Sequence, residues 1–310
     1  MPESVEFQSG GETVRGDLYL PDGPGPHPIV VMAGGWCYVK ELVQPRYAEL
    51  FAQAGVAGLV FDYRHLGASD GEPRQHIDPN KQIEDYRNAI SYVLGQDQFD
   101  PERLGVWGIS YSGGHSLVIA ATDRRVKAVC SIVPVIDGWE NMRRVHGMEG
   151  FRALRKAVEE DREKRFAGEE GGYIAMSVPS VTGPDQLCTW PFPETYAAFK
   201  TLKETVAPRH EHRNTIASTE MLMNYSVFPF VPRILNVSTL MIIADEDDLT
   251  LWDKEIEAFK AIGSQDKELF VTPTVSHMEL YSDKTSLELA AEKAADFFER
   301  KLLSRQPVAA

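Results

Sequence analysis

The chain has 310 residues and a formal net charge of −14, an acidity that repels phosphate backbones and argues against nucleic acid as a partner. Hydrophobic residues make up 43%, enough for a substantial core, but no uninterrupted apolar run reaches the roughly 18 residues of a membrane span, and none is expected. The three cysteines, Cys37, Cys130 and Cys188, have no CxxC spacing and fit neither a disulfide framework nor a zinc site.

The first residues, Met1 to Glu6, lack the basic and apolar stretches of a secretory signal, so a reducing, cytoplasmic setting is expected. Residues 13–20 alternate in period two and end in Pro21-Asp22-Gly23, which predicts an early antiparallel strand and a turn. Short apolar runs at 28–32, 57–61, 104–107 and 128–133 predict further strands. Between them, 47–55, 80–94 and 112–122 have helical spacing, the second with Ile83, Tyr86, Ile90 and Val93 on one stripe. From 136 to 235 no clear strand is legible. A charged helical stretch (141–166) leads into a Gly- and Pro-rich piece (168–193) and two more helical patterns (194–206 and 215–225). Strands return at 240–244 and 269–271, and 282–303 reads as one long terminal helix.

Uninterrupted apolar strands suit a sheet buried on both faces. The expected class is α/β, with a mostly parallel eight-stranded sheet flanked by helices. About a hundred residues separate two strands that a crossover of about a dozen could connect. The reading is therefore a core of 1–135 and 236–310 with a helical lid inserted at 136–235.

The strongest chemical signal is Gly108-Ile109-Ser110-Tyr111-Ser112-Gly113-Gly114. It lies between an apolar strand and a small-residue helix, the setting of a nucleophile elbow. Ser112 stands where Gly is commoner, and is still small. The backbone N–H of Tyr111 falls beside Ser110 at a helix N-terminus, where negative charge is favoured. A second oxyanion donor is expected in the loop Ala33-Gly34-Gly35-Trp36-Cys37, from the N–H of Trp36. An acid should follow a later strand. Asp245-Glu246-Asp247-Asp248 does, and Asp247 is the choice, with Asp248 and Asp245 behind it. A helix cap or a metal-binding acidic run are the other readings of this cluster. The base should lie in a loop after the last strand, where His277 sits, giving the order Ser110, Asp247, His277.

These motifs carry a resemblance. Val39-Lys40-Glu41, Phe61-Asp62-Tyr63-Arg64, residues 67–73, the elbow through His115, and His277-Met278-Glu279-Leu280-Tyr281 resemble a lidded subgroup of the α/β hydrolases. That subgroup includes fungal polyketide thiohydrolases and transferases and bacterial dienelactone-hydrolase-like esterases. The resemblance spans nearly the whole chain. It implies Ser110, Asp247 and His277 as a catalytic triad, with Trp36 and Tyr111 as oxyanion donors. Two positions depart from the pattern: Gly34 replaces a common His, and Ala244 a common Gly.

The expected chemistry is hydrolysis of an ester, thioester or lactone through an acyl-enzyme, with no cofactor and no metal. The Met and aromatic residues of the insertion point to a medium-sized hydrophobic acyl substrate. Trp139, Met142, Trp190 and Tyr225 are the foremost candidates to contact it. The alternatives are an acyltransferase with the same triad and a ligand receptor on a hydrolase fold. The insertion or the terminal helix could support a homodimer.

Overall fold

A computed structural model describes residues 2–181 and 186–303. Its main sheet has eight strands: β1 (Glu3–Ser9), β2 (Glu12–Tyr19), β3 (His27–Ala33), β4 (Ala57–Phe61), β5 (Phe99–Ile109), β6 (Val126–Ile132), β9 (Ser238–Ala244) and β10 (Lys267–Thr272). They are ordered β1-β2-β4-β3-β5-β6-β9-β10. β1 and β2 pair antiparallel, as do β2 and β4, and the remaining neighbours are parallel. β4 and β9 are buried at every residue, as continuous apolar runs in a covered sheet should be. β1 carries only Val5 and Phe7 among charged and polar neighbours, with alternate residues buried. That pattern marks an edge and gives a weak strand signal.

Helices α1 (Gln44–Gln53) and α9 (Lys284–Phe298) pack on each other against the sheet, as do α2 (Pro79–Leu94) and α3 (Tyr111–Thr122). α7 (Trp252–Ala261) follows the acidic run. The terminal helix is broken: a short α8 (Glu279–Ser282) precedes α9. Asp283 separates them and caps α9 by accepting the Ser286 N–H at 2.8 Å.

The segment between β6 and β9 holds α4 (Gly138–Phe166), α5 (Pro193–Thr205) and α6 (Ile216–Met223). It is not purely helical. β7 (Tyr173–Ala175) and β8 (Arg213–Thr215) pair antiparallel in a small second sheet. Three residues each are too few for a period to show in the sequence. Residues 182–185 of the Gly- and Pro-rich piece lie outside the described residues.

Two of the sequence motifs prove to be clamps. Asp62 is buried and accepts the N–H groups of Lys40 at 2.6 Å and Ala68 at 2.8 Å, joining residues 39–41 to 67–71. Burial pushes its carboxyl up to about 7. Arg64 and Asp85 form a buried ion pair, with the Arg64 Nε 2.7 Å from Asp85 Oδ1. These bonds fix the loop after β4.

Candidate active site

Ser110 sits between β5 and α3 with φ 57° and ψ −117°, a strained conformation for a residue with a side chain. The chain turns so tightly there that a Cβ at Gly108 would lie 1.9 Å from the carbonyl oxygen of Ser112. Ser112 does more than fill the place of Gly. Its hydroxyl donates to the Gly34 carbonyl and lies 2.8 Å from the Tyr63 hydroxyl, so the elbow is tied to the loop after β3. Gly34 itself faces the ring of Tyr38, which a Cβ would strike at 1.8 Å. Tyr38 thus occupies the space that a larger residue at 34 would need.

Asp247 is fully buried after β9, whereas Asp245, Glu246 and Asp248 are exposed. Its Oδ1 accepts the N–H groups of Leu249 (2.9 Å) and Thr250 (2.8 Å). Its Oδ2 lies 2.7 Å from the Thr250 hydroxyl and 2.7 Å from His277 Nδ1. So the structure brings Asp247 and His277 together, from the loops after β9 and β10. Behind them, Thr250 Oγ1 also lies 2.9 Å from Glu255 Oε1. Glu255 is fully buried, and burial, then the charge of Asp247, pushes its carboxyl well above the usual range. Thr250 has one proton to give, and a neutral Glu255 supplies the second one this chain of oxygens needs.

Tyr281 completes the group, and sequence reasoning assigned it no role. Its phenol lies beside Ser110, which acts on its titration, and its ring stacks on His277 with centroids 5.6 Å apart. The available signal was spacing: His277 and Tyr281 are four residues apart across the start of α8. Trp36 and Tyr111 meet edge to face at 5.0 Å. The Trp36 indole donates to Asn214 Oδ1 at 2.9 Å. Asn214 also accepts from Thr189 at 2.9 Å and donates to Thr219 at 3.0 Å, so the inserted segment is stapled to the loop after β3.

Ser110 is 6% exposed and lines a small cavity of about 20 Å³ that is partly open to solvent. Trp36, Tyr38, Leu249, His277, Met278 and Tyr281 of the core wall it, with Met176, Trp190, Thr195 and Phe199 of the insertion. Of the four substrate-contact candidates named from sequence, Trp190 alone is on this wall. Trp139 is 44% exposed and packs on Phe151 at the surface. Met142 is buried in the core. Tyr225 lies behind the elbow, against the Tyr111 ring, with its hydroxyl 2.9 Å from His115 Nδ1. Which stripe of a helix turns inward depends on its partners, and the sequence of α4 does not specify them.

His115 is buried between Tyr225 and Gln82, and burial lowers its imidazole to about 3. Burial raises the thiols of Cys37, Cys130 and Cys188, so each is held neutral. Among the described residues no group of three or more His, Cys, Asp or Glu could hold a metal ion, and no helix is long and apolar enough to cross a membrane.

The eight-stranded sheet with its flanking helices and the strand–turn–helix at Ser110 define an α/β hydrolase. Residues 10–278 match the X-Pro dipeptidyl-peptidase (S15) family, and the chain belongs to that family within the α/β-hydrolase superfamily. It is 31% identical to thiohydrolase aneE of Aspergillus aculeatus, over 90% of this chain and 85% of that protein. Acyltransferase drtE of Aspergillus calidoustus is 27% identical, with 96% and 94% covered. In structure it is similar to the α/β hydrolase GrgF from Penicillium sp. sh18, with a TM-score of 0.80, 24% identity, and 98% and 99% covered. The protein is an α/β hydrolase of hydrolase or acyltransferase type.

Proposed function

We propose that the protein is a serine hydrolase that cleaves an ester, thioester or lactone of a medium-sized hydrophobic acyl compound, with Ser110, His277 and Asp247 as its triad. The observation that carries this reading is His277, held 2.7 Å from a buried Asp247, on the wall of the cavity that Ser110 faces. Asp247 fixes the imidazole with its proton on Nδ1, leaving Nε2 free to act as base. Nε2 takes the Ser110 proton as Oγ attacks the carbonyl carbon. The N–H groups of Trp36 and Tyr111 bond the resulting oxyanion, each donor contributing about 3 kcal/mol. The leaving group departs with the proton from His277, and water, activated by the same base, then releases the acid. Residues 136–235 act as a lid over a core of 1–135 and 236–310, and no cofactor takes part. The setting we propose is cytoplasmic.

A second reading keeps the triad and replaces water with an alcohol, amine or thiol. It is favoured by the names of relatives such as acyltransferase drtE.

The test is fluorophosphonate labelling of wild type, Ser110→Ala and His277→Ala, alongside p-nitrophenyl ester turnover across acyl lengths and an X-Pro p-nitroanilide. Wild type should label and turn over esters while both variants fail. Labelling that survives Ser110→Ala overturns the assignment. Labelling without turnover, restored by an added nucleophile, selects the acyltransferase.

A further inference from the structure

The cavity wall above Ser110 carries two polar side chains with nothing to bond. Trp190 is 2% exposed and Thr195 1%, and both line the cavity. Among the described residues, neither the Trp190 indole nitrogen nor the Thr195 hydroxyl oxygen has a hydrogen-bond partner. The other polar groups on this wall are engaged. Trp36 donates to Asn214, the Tyr38 hydroxyl accepts from the Val43 N–H at 3.1 Å, His277 is held by Asp247 and Tyr281 meets Ser110.

Leaving a buried donor unpaired costs about 1–3 kcal/mol. Nothing about packing requires that cost here, since Val has the shape of Thr and Phe lacks the indole N–H. Nor does Thr195 serve its helix. It lies within the first turn of α5, past the capping position, which Phe192 occupies without a side-chain bond. A ligand in the cavity would satisfy both groups.

We propose that Trp190 and Thr195 form a polar subsite of the acyl pocket that binds an uncharged oxygen, an ether, ketone or hydroxyl, on the acyl chain of the substrate. This rests on the reading of Ser110 as an acylated nucleophile. Each group can donate one hydrogen bond, and one oxygen has the two lone pairs to accept both. The oxygen is uncharged because Met176, Phe199 and Leu249 share the wall, and an ion there would lose its hydration without a counter-ion. A pure hydrocarbon chain would enter and leave both donors unpaired, which selects against it.

The experiment compares p-nitrophenyl hexanoate with three analogues in which an ether oxygen replaces the third, fourth or fifth carbon. The readout is acylation, taken from kcat/KM for p-nitrophenolate release or from the burst rate where turnover stalls, in wild type, Thr195→Val and Trp190→Phe. For at least one analogue, the ratio of its rate to that of hexanoate should fall about tenfold in each variant relative to wild type. Comparing ratios removes the intrinsic reactivity of each ester. If all three proteins release p-nitrophenolate with the same ratios at every position, the subsite is overturned and the acyl-enzyme reading stands. If wild type gives neither a burst nor turnover with any ester, the acyl-enzyme reading fails and the subsite fails with it.

Discussion

The ring of Tyr281 lies over His277, the two planes 25° apart, and this places its phenol beside Ser110. Burial raises the phenol, so it stays protonated and stands as a donor beside the nucleophile. Tyr281→Phe keeps the stacking and removes the donor. The acylation rate should fall about tenfold, the worth of one hydrogen bond of about 1.4 kcal/mol, with labelling still going to completion. An unchanged rate in stopped-flow measurements would show that the hydroxyl gives no assistance.

The chain from His277 through Asp247 and Thr250 to Glu255 makes a graded prediction. Asp247→Asn should lower kcat/KM by about 10³–10⁴, since the amide favours the wrong imidazole tautomer. Thr250→Val removes one bond to the carboxylate and should lower it about tenfold. Glu255→Gln should be nearly silent, because a neutral amide replaces what is already a neutral acid. A loss with Glu255→Gln as large as that with Asp247→Asn would mean that Glu255 is ionised.

Strain at Ser110 should be measurable as stability. Its φ of 57° suits Gly and penalises a side chain. Ser110→Gly should therefore exceed Ser110→Ala in stability by about 1 kcal/mol, or a Tm about 2 °C higher. Both variants lack the hydroxyl, so the comparison isolates the backbone. Equal Tm values would place the strain elsewhere in the turn.

His115 should make the fold acid-sensitive. Its imidazole is lowered to about 3 in the fold, while in the unfolded chain it titrates near 6.5. Below about 6.5 the unfolded state alone takes up the proton, so stability is full above that pH and falls as pH drops toward 3, at about 1.4 kcal/mol per unit. In urea unfolding, His115→Gln should lose about 2 kcal/mol less than wild type between pH 7 and pH 5. Identical losses would mean that His115 is protonated without unfolding.

What was legible in the sequence was what local order determines. The elbow at Ser110 follows from a strand, a tight turn and a helix written consecutively, and Asp247 and His277 follow from their places after β9 and β10. β1 escaped notice because Glu3, Ser4, Glu6 and Gln8 dilute its two inward residues. β7 and β8 escaped because each is three residues long. Trp139 was misplaced, and Thr195 and Tyr281 overlooked, for one shared reason. Whether a side chain meets solvent, a neighbour or a cavity is decided by segments distant in sequence, and no periodicity records it.

The Asn214 staple bears on how such a protein can be altered. Asn214 of the segment that walls the cavity accepts from Trp36, in the same loop that is proposed to hold the oxyanion. A segment transplanted from a relative to change the pocket would have to bring an acceptor to position 214, or the indole of Trp36 would be left buried and unbonded. Diversification of this pocket is thus confined to residues such as Met176, Thr195 and Phe199, which touch the cavity and leave the staple alone.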